Sequence, residues 1–238
     1  MYLGKKVSVV FPVYNEAPNI KRAIELFMAH PAVDELIAVD NNSTDGSDKE
    51  IEKTRARYVR ETTQGYGAAM QRGMREATGD LIVTVEPDGT FRPEDIDRFL
   101  VYSRDYSVVL GTRTARVLIW TGGDMYLSLR LGNWAVAKYL EFLFSGPSLT
   151  DVGCSYKLID RDAYESVKDA FSVNGWHFSP DFMMQVLRQR LSVVEIPIQF
   201  QARVGKSKLG GIRWKAVLMG FRMIAFITTT RLKTLKAR

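Results

Sequence analysis

The chain has 238 residues, of which 46% are hydrophobic and 25% charged, a composition typical of one large globular domain or a domain with an appendage. A single cysteine, Cys154, excludes an internal disulfide and a cysteine-rich zinc site, and the two histidines show no metal-ligand spacing. The formal net charge is +6, but residues 196–238 hold ten Lys or Arg and no Asp or Glu, which leaves 23 basic and 27 acidic residues elsewhere. A basic segment of this kind suits a phosphorylated ligand, an anionic membrane or a nucleic acid.

Short apolar runs rich in β-branched residues alternate with helical patterns from the N-terminus onward. The pattern predicts strands at 7–11, 36–39, 57–59, 81–85 and 108–110, and helices at 18–28, 47–54, 67–77 and 93–102. Such alternation predicts an α/β fold with a mostly parallel sheet and right-handed crossovers.

Polar or charged residues follow four of the five predicted strands. In parallel sheets ligands bind beyond the carboxyl ends of the strands, so these residues are expected to converge on one edge. The segments are Pro12-Val13-Tyr14-Asn15-Glu16, Asp40-Asn41-Asn42-Ser43-Thr44-Asp45-Gly46-Ser47, Glu86-Pro87-Asp88 and Gly111-Thr112-Arg113.

The third of these segments is the most informative. Glu86 and Asp88 lie one residue apart, directly after a buried strand and within a turn that contains proline and glycine. Carboxylate oxygens suit Mg²⁺ or Mn²⁺, and such a metal is usually shared with substrate phosphates. The alternative is an acidic turn that caps the next helix, but the convergence of four polar strand ends favours a binding site.

Seven segments between residues 7 and 211 together carry a resemblance to a known family. They are VSVVFPVYNE, IAVDNNSTDGS, GYGAAMQRGMREATGD, VEPDGTFRPEDI, VVLGTRT, LTDVGCSYKLIDRDAY and PIQFQARVGKSKLGG. In this order they resemble the family-two glycosyltransferases of the GT-A fold, a Rossmann-like architecture with a mostly parallel sheet flanked by helices. The later segments resemble the dolichyl- and polyprenyl-phosphate sugar transferases, a group that includes dolichyl-phosphate mannosyltransferases.

The resemblance implies a metal-dependent, inverting transfer of a sugar from a nucleotide-sugar donor to a polyprenyl phosphate, with Mg²⁺ or Mn²⁺ as cofactor. It implies that Glu86 and Asp88 bind the metal, and that Asp88, Arg113 and Asp151 are catalytic. The residues it assigns to the nucleotide sugar are Pro12, Tyr14, Glu16, Ala38, Asp40, Glu86, Pro87, Arg113, Arg203 and Lys208.

Two departures from the family pattern bear on these roles. Glu86 stands where the family has aspartate, which leaves direct metal coordination by Glu86 open and suggests, as an alternative, a nucleotide-sugar-binding protein without transferase activity. The spacing within 203–208 is shorter than in some relatives, so either Lys206 or Lys208 meets phosphate.

The acceptor decides whether a general base is needed. A lipid phosphate is already anionic and needs only cations to position it, which fits the basic segment at 196–238. A hydroxyl of a glycan or glycolipid would need a base, and Asp151 or Asp181 would then supply it.

The apolar stretch at 216–230 is too short to cross a bilayer, because 15 helical residues span about 22 Å against roughly 30 Å of hydrocarbon. Arg222 in its middle would also be costly at bilayer depth. The flanking basic residues favour an amphipathic helix at an anionic membrane surface, and the alternative is a helix that covers the core or forms a dimer. The aromatic-rich segment 125–144 either forms a groove for the acceptor lipid or packs on the sheet.

These features predict two parts, a GT-A domain at 1–211 and a basic amphipathic helical tail at 212–238. We expect a cytoplasmic protein, peripheral at the inner face of the membrane, because the N-terminus has no signal-peptide pattern. Nucleic acid is not expected as a partner, since the tail has aliphatic rather than stacking residues beside its charges. Whether the chain forms a homo-oligomer stays open.

Overall fold

The computed structural model describes residues 1–115, 127–203 and 213–236. Its elements in chain order are β1 (Val7–Val13), α1 (Ile20–Met28), β2 (Glu35–Asp40), α2 (Ser47–Glu52), β3 (Arg57–Arg60), α3 (Tyr66–Glu76), β4 (Leu81–Thr84), α4 (Asp95–Tyr102), β5 (Val108–Thr112), α5 (Leu127–Phe144), β6 (Lys157–Asp160), α6 (Arg161–Val167), α7 (Phe178–Arg188), β7 (Val193–Pro197) and α8 (Arg213–Lys236). A short 3-10 helix, Lys168–Ala170, follows α6.

The seven strands form one sheet in the order β3-β2-β1-β4-β6-β5-β7. β1 is parallel to β2 and β4, β2 to β3, and β5 to β7, whereas β6 is antiparallel to both β4 and β5. The predicted α/β fold with a mostly parallel sheet is therefore confirmed. As a result, the carboxyl ends of β1, β2, β4, β5 and β7 lie along one edge of the sheet.

The observed strands are longer than predicted where a neighbouring strand continues the pairing. β1 runs to Val13 because Val13 pairs with Asp40 at the end of β2, and β5 runs to Thr112 because Thr112 pairs with Pro197. Gly111 and Thr112, which were predicted to follow their strand, thus belong to it. β6 and β7 lie beyond the five strands predicted, since each of them is defined by pairing with distant strands.

The sheet separates two apolar layers. Val9 and Phe11 of β1 pack into the layer that also holds residues of α1 and α4, whereas Val10 packs into the layer built with α3, α5, α6, α7 and α8. This alternation follows from the period of two along a strand. Because β1 and β4 are buried on both faces, their carboxyl ends are rigid platforms for the residues that follow them.

α8 packs against α5 and α7. Ile227 is completely buried in the apolar layer, and the hydroxyls of Tyr139 and Thr228 lie 2.8 Å apart between α5 and α8. The predicted division at 211/212 falls among residues that the structure does not describe, so it stays a prediction. Within the described residues, no helix combines the length and apolar character that crossing a membrane would require.

Candidate active site

The turn after β4 brings two carboxylates to the carboxyl edge of the sheet. Asp88 is only 3% exposed, and its Oδ1 accepts hydrogen bonds from the backbone N–H of Thr90 at 3.0 Å and from the Thr90 hydroxyl at 2.6 Å. Gly89 has φ 80°, a left-handed conformation that favours glycine and lets the chain reverse here. Asp88 is therefore held in one orientation, with Oδ2 left for other partners.

Glu86 carries a charge that its surroundings do not fully compensate. Burial and the neighbouring carboxylate of Asp88 raise the pKa of Glu86 to about 7, against the opposing effect of Arg113 and Arg203. Oxygen donors with excess negative charge suit a hard divalent cation, so the pair fits Mg²⁺ or Mn²⁺. The described residues contain no cluster of three or more His, Cys, Asp or Glu side chains arranged for a metal. An ion held here would complete its coordination with water or substrate oxygens.

Arg203 connects the carboxylate turn to the loop after β1. Its Nη1 lies 3.2 Å from Asp88 Oδ2, and its Nη2 donates to Glu16 Oε1 at 2.9 Å. The segment that carries Arg203 is anchored by Gln201, whose N–H donates to the carbonyl of Thr90 and whose Nε2 donates to that of Gly89. The sequence placed Arg203 near phosphate, but the pairing with Glu16, 187 residues away, depends on the tertiary fold.

Arg113 and Asp151 form a buried, two-pronged ion pair. Arg113 Nε and Nη2 donate to Asp151 Oδ2 and Oδ1 at 2.7 and 2.9 Å, and the side chain of Asp151 is fully buried. Burial alone would raise the pKa of Asp151, but the guanidinium of Arg113 and the hydrogen bonds hold it below its usual value. The Arg113 guanidinium also lies over the ring of Phe200, 5.4 Å from its centroid. Asp151 thus stays ionised with both oxygens engaged.

Asp181, the other candidate base, lies inside the helical layer. It is completely buried in the first turn of α7, where Oδ2 accepts from the backbone N–H of Ser172 at 2.8 Å and Oδ1 accepts from Gln185 Nε2 at 2.9 Å. Its contacts connect α7 to the segment before it. Nothing in this arrangement brings Asp181 into contact with the carboxylate turn.

The candidates on β1 and β2 differ in their accessibility. Pro12 and Ala38 are buried within their strands, and the side chain of Ala38 belongs to the apolar layer on the α1 and α4 side. Tyr14 is 41% exposed just beyond β1. Asp40 ends β2, and its Oδ1 accepts from the backbone N–H of Ser43 at 3.1 Å. Of these four residues, Tyr14 is therefore the accessible one, since Asp40 is only 3% exposed.

Asn41 organises the neighbouring loops, a role that sequence reasoning missed. Its Nδ2 donates to the carbonyls of Glu61 and Thr63 at 3.1 and 2.7 Å, and its Oδ1 accepts from the backbone N–H of Gly65 at 2.7 Å. This buried amide joins the end of β2 to the start of α3. A strand-ending asparagine beside Asp40 was the available signal, but its partners lie 20 to 24 residues further along the chain.

Pro87 and Lys208 were also predicted to contact the nucleotide sugar. Pro87 is buried within the carboxylate turn. Lys208, and Lys206 as its alternative, lie outside the residues that the structure describes.

Comparisons with known proteins identify sequences and structures to which this chain is similar. Residues 8–168 match the family Glycosyl transferase family 2. Over 228 residues the chain is 28% identical to the undecaprenyl-phosphate mannosyltransferase of Micrococcus luteus, covering 90% of this chain and 91% of that protein.

Solved structures share the fold. The mannosyl-3-phosphoglycerate synthase of Rubrobacter xylanophilus superposes with a TM-score of 0.75 at 20% identity, covering 98% of this chain and 76% of that one. The glucosyl-3-phosphoglycerate synthase of Mycobacterium tuberculosis, solved with Mn²⁺, UDP-glucose and glycerol 3-phosphate, superposes with a TM-score of 0.70 at 18% identity, covering 96% and 80%.

Proposed function

The chain belongs to glycosyl transferase family 2, and from this membership we propose that it moves a sugar from a nucleotide-sugar donor to a polyprenyl phosphate, with inversion at the anomeric carbon. It is a nucleotide-sugar glycosyltransferase of GT-A fold. The observation that carries the proposal is the meeting of Glu86, Asp88, Arg113 and Arg203 at the carboxyl edge of the sheet. Acidic and basic groups side by side suit a metal-bound diphosphate and the anion that attacks the sugar.

Glu86 and Asp88 would hold the divalent cation. When bound, such an ion neutralises charge that develops on the departing nucleoside diphosphate. Arg203, which lies against Asp88, contributes a second positive charge on the same side, and Glu16 orients it. Preorganised charges of this kind cost no reorganisation when the sugar is transferred. The Mn²⁺ in the Mycobacterium tuberculosis enzyme supports a divalent ion for this fold.

A phosphate acceptor is supported by the state of the two candidate bases. Asp151 is held by Arg113, and Asp181 by Ser172 and Gln185, so neither carboxylate is placed to take a proton from a hydroxyl. Phosphate needs no base, only cations. The Arg113 Nη1 makes no hydrogen bond among the described residues and is the donor we assign to the acceptor phosphate. The name of the Micrococcus luteus relative supports undecaprenyl phosphate or a similar lipid.

The test is a turnover assay that pairs UDP-, GDP- and dTDP-sugars with a polyprenyl phosphate, with and without Mg²⁺ or Mn²⁺. We expect metal-dependent formation of a polyprenyl-phosphate sugar from one donor. Removal of the metal by a chelator should abolish the product. Transfer only to a glycan or glycolipid hydroxyl would overturn the phosphate acceptor, and binding of the nucleotide sugar without turnover on any acceptor would favour a binding protein.

We further propose that α5 and α8 contact an anionic membrane at the cytoplasmic face, where a lipid acceptor would be met. On α5 the exposed apolar residues Leu131, Trp134 and Phe142 fall on one side, within about 80° by helical spacing. On α8 the same holds for Leu218, Phe221 and Leu232. Exposed apolar side chains flanked by basic residues are the pattern of an interfacial helix.

Replacing Phe142 and Phe221 with serine should weaken binding to vesicles that contain anionic lipid. These rings are 80% and 66% exposed, so the fold loses little when they are removed. Each buried ring contributes about 1.5–3 kcal/mol, so the double variant should lose at least about tenfold in vesicle partitioning, measured by co-sedimentation. The matched control replaces Leu26 and Val101, which are 49% and 53% exposed on α1 and α4. Equal partitioning of both double variants would contradict the proposed membrane surface.

A further inference from the structure

Glu195, which no motif singled out, holds the turn that carries Asp151. It lies on β7 opposite Leu110 of β5. Its carboxylate accepts from the backbone N–H of Thr150 at 2.8 Å, from the Thr150 hydroxyl at 2.5 Å and from the backbone N–H of Asp151 at 3.1 Å. Within the described part of the chain Glu195 forms no ion pair, so these neutral donors stabilise its negative charge.

The Thr150 hydroxyl joins this carboxylate to the end of β5. It lies 2.8 Å from the hydroxyl of Thr112 and 3.1 Å from that of Thr114. An ionised carboxylate only accepts hydrogen bonds, so the single Thr150 proton points to Glu195. Any hydrogen bond that joins Thr150 to Thr112 or Thr114 is then donated to the Thr150 oxygen, and the hydroxyls of Thr112 and Thr114 also lie 2.9 Å from each other. The charge of Glu195 therefore sets the direction of hydrogen bonds on both sides of Arg113.

Arg113 is thus held in place by two sets of contacts. Its neighbours Thr112 and Thr114 are joined to Thr150, and its guanidinium and backbone N–H are bound by Asp151. Both Thr150 and Asp151 are bound in turn by Glu195. The position of the guanidinium therefore depends on a carboxylate that does not contact it.

We propose that Glu195 is a positioning residue for sugar transfer, which acts through Thr150 and Asp151 to aim Arg113 at the acceptor phosphate. The inference rests on the proposed function, since it deepens the role given there to Arg113. A displacement of a reacting group by about 1 Å can cost on the order of a hundredfold in rate. A support for the guanidinium is therefore expected to be visible in turnover.

The decisive variant is Glu195→Gln, which keeps the size of the side chain but replaces one accepting oxygen with an NH2 donor, so the N–H groups of Thr150 and Asp151 and the Thr150 hydroxyl can no longer all donate to it as they do now. We expect kcat/KM for polyprenyl phosphate to fall by about 10- to 100-fold, while KM for the nucleotide sugar stays within about twofold. Thr150→Val is the second variant, because it removes only the hydroxyl and leaves the backbone contacts. It should lower the same kcat/KM by a smaller factor.

Glu35 provides a control with the same kinds of hydrogen-bond donor, although Lys6 Nζ also lies 3.5 Å from its Oε2. It lies on β2 at the opposite edge, and its Oε1 accepts from the Thr78 N–H at 2.6 Å, from the Thr78 hydroxyl at 2.8 Å and from the Ser8 hydroxyl at 2.5 Å. Glu35→Gln should therefore perturb thermal stability in a similar way to Glu195→Gln, but it should leave both kinetic constants unchanged. A purely structural role for Glu195 predicts the same kinetic behaviour for the two variants.

A double-variant cycle separates positioning from an independent effect. In an Arg113→Ala background, Glu195→Gln should cause less than about a twofold further loss, because the group it positions is gone. If the losses in kcat/KM caused by the two substitutions multiplied, the inference would be overturned, as it would be by a Glu195→Gln enzyme with normal kcat/KM.

Nucleotide release is followed in every reaction, whether water, hydroxyl or phosphate accepts the sugar. Wild-type enzyme that releases nucleotide but forms no lipid product counts against the proposed function, not against the coupling of Glu195 to Arg113.

Discussion

Asp88→Asn is expected to lower sugar transfer by about 10²- to 10³-fold, the loss typical of removing one preorganised electrostatic group from an active site. Asparagine preserves the shape and the acceptor for the Thr90 contacts, so the turn after β4 should persist. What disappears is the negative charge that, with Glu86, would hold the cation. Loss of the charge also removes one of the two carboxylates that pair with Arg203.

The measurement is steady-state turnover across a range of Mn²⁺ and Mg²⁺ concentrations, with metal binding followed by calorimetry. Asp88→Asn should show weaker metal binding in the presence of the donor and an unchanged melting temperature within about 3 °C, the shift expected for less than 1 kcal/mol. Asp97→Asn is the control, because Asp97 lies on α4 with its side chain 75% exposed and its Oδ1 3.4 Å from His30 Nε2. If Asp88→Asn kept more than a tenth of wild-type activity, Asp88 would not be the metal ligand.

Asp151→Asn should lower the melting temperature by roughly 10 °C and abolish most of the transfer. Removing one partner of a buried ion pair typically costs about 3–5 kcal/mol, because the other charge is left without compensation. For a chain of this size each kcal/mol shifts the midpoint by about 2–4 °C. Arg113 is the charge left behind, with its side chain only 13% exposed.

Two comparisons test the cause of that loss. Glu50→Gln breaks a solvent-exposed pair with Lys53 and should cost below about 1 kcal/mol. Combining Asp151→Asn with Arg113→Met removes the unpaired charge, so this double variant should melt higher than Asp151→Asn alone while staying inactive. A double variant less stable than the single one would mean that the cost does not come from the uncompensated guanidinium. Melting is followed by circular dichroism.

Much of the fold was predictable because its signals are local. The alternation of apolar β runs with helical patterns predicted β1 to β5 and α1 to α4, and the observed bounds differ by a few residues. The predictions stopped short of β6, because its antiparallel place between β4 and β5 is decided by pairing with distant strands. A four-residue strand carries too few side chains to reveal its partners.

The residues of the candidate site likewise fall into those with a local signal in the sequence and those without one. Glu86 and Asp88 could be identified from the sequence, since two carboxylates at a turn directly after an apolar run are costly to bury without a compensating cation. The resemblance of seven segments to one family then gave them a role. The roles of Asn41 and Glu195 could not be identified, because each depends on contacts with distant backbone; Asn41 lies in a polar segment that was predicted, whereas Glu195 lies in none of the motifs.

By itself the sequence determined the α/β class, the resemblance to the family and the carboxylates that directly follow β4, because strand periodicity and short motifs are properties of neighbouring residues. Only the tertiary structure decided which charges meet. It paired Arg203 with both Glu16 and Asp88. It also paired Asp151 with Arg113 and placed the carboxylate of Glu195 against the backbone N–H of Asp151. Ion pairs and hydrogen bonds act over a few ångströms, so their partners are set by the packing of the sheet and not by separation along the chain.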